Sequence, residues 1–182
     1  MEIELRAKIR NSRKIKEKLK EMGANYLGAK IEKDQYFSSR ELCKKLGYSF
    51  LIRIRKRGRE NILTAKAAKR KLDGVWDELE TKIENPQIFI NIFYLIGLEK
   101  VIEVEKKRES FQLGKIKINL DKFKKWGDFI EVEIISSDKK DKKKLFLLFN
   151  KLGIKKENII EKGYITLFLQ ELKSPFAKFI KN

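Results

Sequence analysis

The doublet Glu-x-Glu occurs four times along this chain, as Glu2/Glu4, Glu78/Glu80, Glu103/Glu105 and Glu131/Glu133. Basic residues repeat at the same spacing, as Arg6/Lys8, Arg53/Arg55 and Lys106/Arg108. On a β-strand, residues i and i+2 point to one side, roughly 6.5–7 Å apart. Two such carboxylates can grip one cation, and two such bases can hold neighbouring oxygens of a polyanion. The chain has no histidine and a single cysteine, Cys43. That excludes a histidine general base, a serine triad, the usual zinc ligands and an internal disulfide. Any metal must then be held by carboxylates, carbonyls and water, the donors that suit Mg2+ or Mn2+.

These pairs sit in segments of period two. Glu2, Glu4, Arg6, Lys8 and Arg10 alternate with Ile3, Leu5, Ala7 and Ile9, which predicts a strand with one charged and one apolar side. Further strands are expected near 28–37, 48–57, 61–69, 75–84, 99–111, 115–121 and 128–136. Helical spacing places helices at 13–22 after Asn11-Ser12, between Pro86 and Gly97, from Ser137 or Asp138 to Leu152, and over 164–172. Residues 38–47 read as a polar loop, 70–74 as a basic turn, and Ser174-Pro175 as the start of a tail. About eight strands, joined by hairpins and two helical crossovers, make an α+β chain. If the sheet closes into a barrel with its charged sides inward, acids meet bases across a lumen and the helices cover the apolar outside. If it stays open, the charges face water. Periodicity alone leaves both arrangements open.

A length of 182 residues and 42% hydrophobic content suit one domain, 1–182, with a substantial core. No apolar run is long enough to cross a membrane, so a cytoplasmic protein is expected. The net charge of +18 admits a nucleic acid, a compact polyanion, or merely a lysine-rich surface.

The order and spacing of several short motifs resemble the CYTH, or triphosphate tunnel metalloenzyme, superfamily, and most closely its class IV adenylate cyclase-like branch. They are Glu2-Ile3-Glu4-Leu5-Arg6, Asp34-Gln35-Tyr36-Phe37, Leu51-Ile52-Arg53-Ile54-Arg55, Thr64-Ala65-Lys66, Leu120-Asp121, Gly127 to Glu133, and Lys162-Gly163-Tyr164-Ile165-Thr166-Leu167. The resemblance implies an eight-stranded antiparallel β-barrel, a tunnel with a charged interior and helices packed outside. It implies Glu2, Glu4, Glu131 and Glu133 as catalytic residues and metal ligands, with Glu78, Glu80 and Asp121 joining the metal set. It implies Arg6, Lys8, Arg53, Arg55, Lys66, Lys106, Arg108 and Lys162 as the triphosphate clamp, and Mg2+ or Mn2+ as cofactor. Two positions depart from the family pattern. Arg6 stands where a lysine is usual, and a guanidinium can clamp phosphate but cannot act as a base. Trp76 replaces the arginine usual before the mid-chain Glu-x-Glu.

The expected function is hydrolysis of an inorganic or organic triphosphate, with cyclisation of ATP to cyclic AMP and pyrophosphate as the alternative. A polyanion- or RNA-binding module fits the charge, but carboxylates in a phosphate groove lower affinity and stacking aromatics are sparse. A small-molecule partner is therefore preferred to nucleic acid or a membrane, and nothing in the sequence excludes a homodimer. Glu103 and Glu105 read as outer-face charges, Tyr36, Phe37, Trp76 and Trp126 as packing, and Cys43 as incidental.

Overall fold

The computed structural model describes residues 2–68, 77–136, 138, 141–160 and 162–180, with Glu2 described in its backbone alone. In chain order the elements are β1 (Glu2–Ile9), α1 (Ser12–Glu21), β2 (Asn25–Ser38), α2 (Arg40–Leu46), β3 (Phe50–Arg57), β4 (Glu60–Ala67) and β5 (Asp77–Ile83). There follow α3 (Pro86–Leu95), β6 (Glu99–Leu113), β7 (Ile116–Phe123), β8 (Gly127–Ile135), α4 (Asp141–Leu152), β9 (Ile159–Ile160) and α5 (Tyr164–Glu171). This is an α+β chain with nine strands and five α-helices among the described residues, and the described pairings are antiparallel. It divides into two compact units, one of Met1–Ile31 with Lys106–Glu161, the other of Glu32–Glu105 with Lys162–Asn182.

In the first unit the strands run in the order β6-β7-β8-β1-β9. Ile3, Leu5, Ala7 and Ile9 of β1 share a side with Ile118, Leu120, Ile130, Val132 and Ile134, and all are buried. Ile15 and Leu19 of α1 and Leu145, Leu148, Phe149 and Leu152 of α4 close over them. The i, i+3, i+4, i+7 spacing on α4 makes that stripe, each buried side chain contributing about 1.5–3 kcal/mol. Asn11 caps α1, its side chain accepting from the Lys14 N–H at 3.0 Å. With the apolar side committed to the helices, the even-numbered residues of β1 must lie on the other. A slip of one residue would bury Glu4 and Arg6 under α4, which fixes the register.

The second unit repeats the plan with β2-β3-β4-β5. Phe37, Ile54, Phe93 and Leu98 form its core, with Ile52, Leu63, Ile83, Phe89 and Ile90 against them. Pro86 occupies the first turn of α3, as the sequence indicates, and Asn85 caps it.

Three expectations are corrected. Residues 38–47 are not a loop throughout, for Arg40–Leu46 form α2. Ser39 caps it and Gly47, at φ +73°, ends it in the left-handed region that glycine enters without strain. Cys43 is the buried residue of this helix and lies 3.6 Å from the Ser38 hydroxyl. The strand count is nine, because the two-residue β9 pairs with Arg6 and Ala7. Ser174-Pro175 starts a 3-10 turn, Pro175–Lys178, that buries Phe176, with Ile180 buried just after it. The expected basic turn 70–74, Trp76 and the cap Ser137 lie outside the described residues. β9 and β5 are the outermost strands of their ladders, so barrel closure is not among the described pairings.

Candidate functional site

The charged side of the first unit is ordered by its register. Arg6 stands opposite Glu131, Glu4 opposite Glu133, Lys8 opposite Phe129, and Arg108 opposite Asp121. Glu131 is buried, and both its oxygens are used. Arg6 Nε donates to Oε2 at 2.9 Å; Arg108 Nη2 and Asn119 Nδ2 donate to Oε1 at 2.9 and 3.3 Å. Burial alone would raise the pKa of this carboxyl, but the charges of Arg108, Arg6 and Lys106 outweigh it and hold the group well below the usual carboxylate range. Asp121, with its side chain fully buried, takes a two-pronged grip from Arg108 at 2.7 and 2.5 Å and a third bond from Lys106 at 3.1 Å. Lys106 also lies over the Phe123 ring and Lys8 over the Phe129 ring. Glu4 bonds Arg6, and Glu133 bonds Lys117 at 2.5 Å.

The second unit has its own charged side. Arg53, Arg55 and Arg57 of β3 stand opposite Tyr36, Asp34 and Glu32 of β2. Asp34 is 2% exposed and receives Arg55 Nε and Nη2 at 2.7 and 2.6 Å. Glu32 lies 3.4 Å from the same guanidinium. Burial lowers the pKa of Arg55, but Asp34 more than reverses this, so the group stays charged. Tyr36 donates to Asp34 at 3.2 Å, and burial followed by the Asp34 charge raises its pKa. Tyr36 is thus a protonated donor and no base at neutral pH. Arg53 reaches Thr64 at 2.8 Å, Glu80 at 3.2 Å and Glu78 at 3.9 Å. Lys66 holds Glu78 at 2.6 Å.

Most of the expected site residues therefore fall into two groups. Glu4, Arg6, Lys8, Lys106, Arg108, Asp121, Glu131 and Glu133 share the charged side of the first unit. Arg53, Arg55, Lys66, Glu78 and Glu80 share that of the second. Glu2 pairs with Ile135 through its backbone, and its side chain lies outside the description. Lys162 is exposed and donates to Gln170 of α5. Glu103 and Glu105 face outward, as expected, and meet Gln35, Lys100 and Lys33.

Reading the sequence missed the supports. Glu32, Asp34, Asn119, Ser110 and Lys117 hold the charged and polar side chains of these two faces in place. A usable signal existed for Asp34, since Glu32, Asp34 and Tyr36 alternate opposite the arginine run of β3. Asn119 carries no charge and gave none.

Glu4 and Glu133, directly opposed on neighbouring strands, have the oxygen-donor chemistry that a hard divalent cation takes. Among the described residues no group of three or more acidic, histidine or cysteine side chains stands assembled around such an ion. Each of the two carboxylates is held by a base, so a cation would compete with Arg6 and Lys117 for them.

Comparison with known proteins supplies the family. Residues 1–164 match the CYTH domain. The chain belongs to the CYTH family. A Methanocaldococcus jannaschii protein provisionally named an adenylate cyclase is 30% identical over 177 residues, covering 92% of this chain and 98% of its own. A structure from Pyrococcus horikoshii superposes with a TM-score of 0.77 at 29% identity, over 92% of this chain and 99% of that one. A Hippeastrum protein provisionally named an adenylyl cyclase, and described as revealing a dominant triphosphatase activity, has a TM-score of 0.65 at 15% identity. It is matched over 97% of its length and 96% of this one, and at that identity the likeness shows the fold. CYTH proteins are generally metal-dependent. No helix among the described residues of this CYTH chain is long and apolar enough to cross a membrane.

Proposed function

We propose that this CYTH protein is a metal-dependent enzyme that hydrolyses a triphosphate. The observation that carries the reading is the set of bases Arg6 of β1 and Lys106 and Arg108 of β6 on one sheet face, locked by buried Asp121 and Glu131. Bases held in advance can spread the charge of a phosphoryl-transfer transition state without reorganising. Arg53 and Arg55 supply a second locked pair in the other unit. The closed eight-stranded tunnel expected from the sequence is part of this proposal. So is a divalent cation at Glu4 and Glu133, which when bound would neutralise phosphate charge and make water more acidic.

In hydrolysis, a water oxygen bonds to the terminal phosphorus and the bridging P–O bond breaks. The bridging oxygen leaves with the rest of the substrate, and a carboxylate takes the water proton. Arg6 cannot take it, being always protonated. The relative named as an adenylate cyclase favours a second reading, in which the ribose 3′-hydroxyl of ATP attacks the α-phosphorus and pyrophosphate leaves.

Incubation with inorganic triphosphate, thiamine triphosphate or ATP, each with Mg2+ or Mn2+, tests both. Orthophosphate release is expected, with none in EDTA. Cyclic AMP as the sole product rejects hydrolysis, and no product from any substrate rejects both readings. The partner in this proposal is a small molecule. RNA binding that persists in EDTA and survives Glu4→Ala and Glu133→Ala would replace it with a binding module.

A further inference from the structure

The bases of the two charged sides mostly have acids for partners, and most of those around one hollow of the first unit do not. A cavity of about 400 Å3 opens where the start of α1 meets the chain after α4. Lys8, Arg10, Lys14, Lys18 and Lys155 line it, against one acid, Glu157. Glu157 is 3.7 Å from Lys155. Lys18 donates to the carbonyls of Leu152 and Lys151 at 3.0 and 3.5 Å, tying the end of α4 to α1. Neither Arg10 nor Lys14 has an acidic partner among the described residues. The floor is aliphatic, with Ile9, Ile15 and Ile154 buried there.

We propose that this hollow binds a phosphorylated organic anion of nucleotide size. Its phosphates would meet Arg10, Lys14 and Lys155, and its body would lie on the isoleucine floor. The volume falls within the range of small-molecule sites. Crowded cations repel one another until an anion neutralises them, so occupancy stabilises the protein. The hollow has the opposite chemistry to Glu4 and Glu133: it is rich in bases and poor in acids, and needs no divalent cation. Apart from Lys8, its bases are not part of the charged sheet face.

The test uses backbone-amide NMR of the full chain in EDTA, titrated with ADP and separately with pyrophosphate. No turnover is involved, so the outcome is independent of the proposed triphosphatase reaction. Saturable shifts at residues 10–18 and 152–158 are expected, with a response separate from any at the clamp bases Arg6, Lys106 and Arg108. ADP should bind about fivefold more tightly than pyrophosphate, as some 40 Å2 of aliphatic contact would give. The double variant Arg10→Glu/Lys14→Glu should keep the wild-type spectrum elsewhere and lose the saturable response. Absence of shifts at the hollow, unchanged binding by the variant, or equal affinity for the two ligands would overturn the proposal.

Discussion

Glu131 and Glu80 belong to the same kind of Glu-x-Glu doublet, yet they lie in different surroundings. Glu131 is on β8, flanked by β7 and β1, so bases and amides reach it from both sides: Arg6 from one, Arg108 and Asn119 from the other. Glu80 is on β5, the outermost strand of its ladder, with β4 as its one described neighbour. Its side chain is 50% exposed and meets Arg53 and Thr64 from that side alone. A charged doublet becomes a buried anchor only where neighbouring strands supply counter-charges on both flanks. At an edge it remains a hydrated ion pair.

The sharpest test removes the anchor. Glu131→Ala leaves Arg6 and Arg108 partly unpaired in a buried setting, which costs about 3–5 kcal/mol. Urea denaturation would measure it, and a loss under about 1 kcal/mol would break the contrast with β5. Acid supplies a second readout. Because the folded-state pKa of Glu131 is lowered, its stabilisation is complete above the ordinary carboxylate range of about 4.3 and is lost as pH falls below it. Wild type should therefore keep its advantage over Glu131→Gln down to about pH 5 and lose it progressively as the pH falls further.

Asp34→Asn comes next. The variant loses the two-pronged grip on Arg55, but Glu32 remains 3.4 Å away, so about 2–3 kcal/mol is expected by urea denaturation. A charged Arg55 released from Asp34 should also raise KM for triphosphate more than it lowers kcat. A change in kcat alone would mean that Asp34 does more than position that base.

How far the sequence foretold this layout depends on where a residue's partner lies. The alternation of β1 showed which side of that strand carries Glu4, Arg6 and Lys8, because a period of two is a property of the strand itself. The stripes of α1, α3 and α4 were legible for the same reason. α2 was not, since Arg40–Leu46 is seven residues with one buried side chain, and its stability comes from Ser39, Gly47 and packing rather than from periodicity. β9 is two residues long and exists only through its pairing with Arg6 and Ala7. Asn119 and Ser110 became visible only when β6, β7 and β8 were laid in register, which no local pattern specifies.

At the exposed end of the comparison, Glu80→Ala should cost no more than about 1 kcal/mol, since half-exposed pairs trade protein contacts for water at little net cost. Arg53 keeps its bond to Thr64 in that variant, so its position should hold. A thermal melt matching that of Glu131→Ala would show that β5 has a buried flank after all.

Glu133→Gln should have the smallest effect on folding and a specific one on metal binding. Glu133 faces Glu4 across the β1–β8 pair, and like charges so placed repel. Removing one relieves that repulsion and also forfeits the Lys117 contact, so the two changes offset to within about 0.5 kcal/mol. A divalent cation that uses both carboxylates stabilises the folded chain in proportion to its occupancy. Mn2+ should therefore raise the melting temperature of wild type, and EDTA should reverse the rise. Glu133→Gln should melt near wild type in EDTA and respond little to Mn2+. An undiminished Mn2+ response would move the cation away from Glu4 and Glu133 and leave that opposed pair as another structural charge contact.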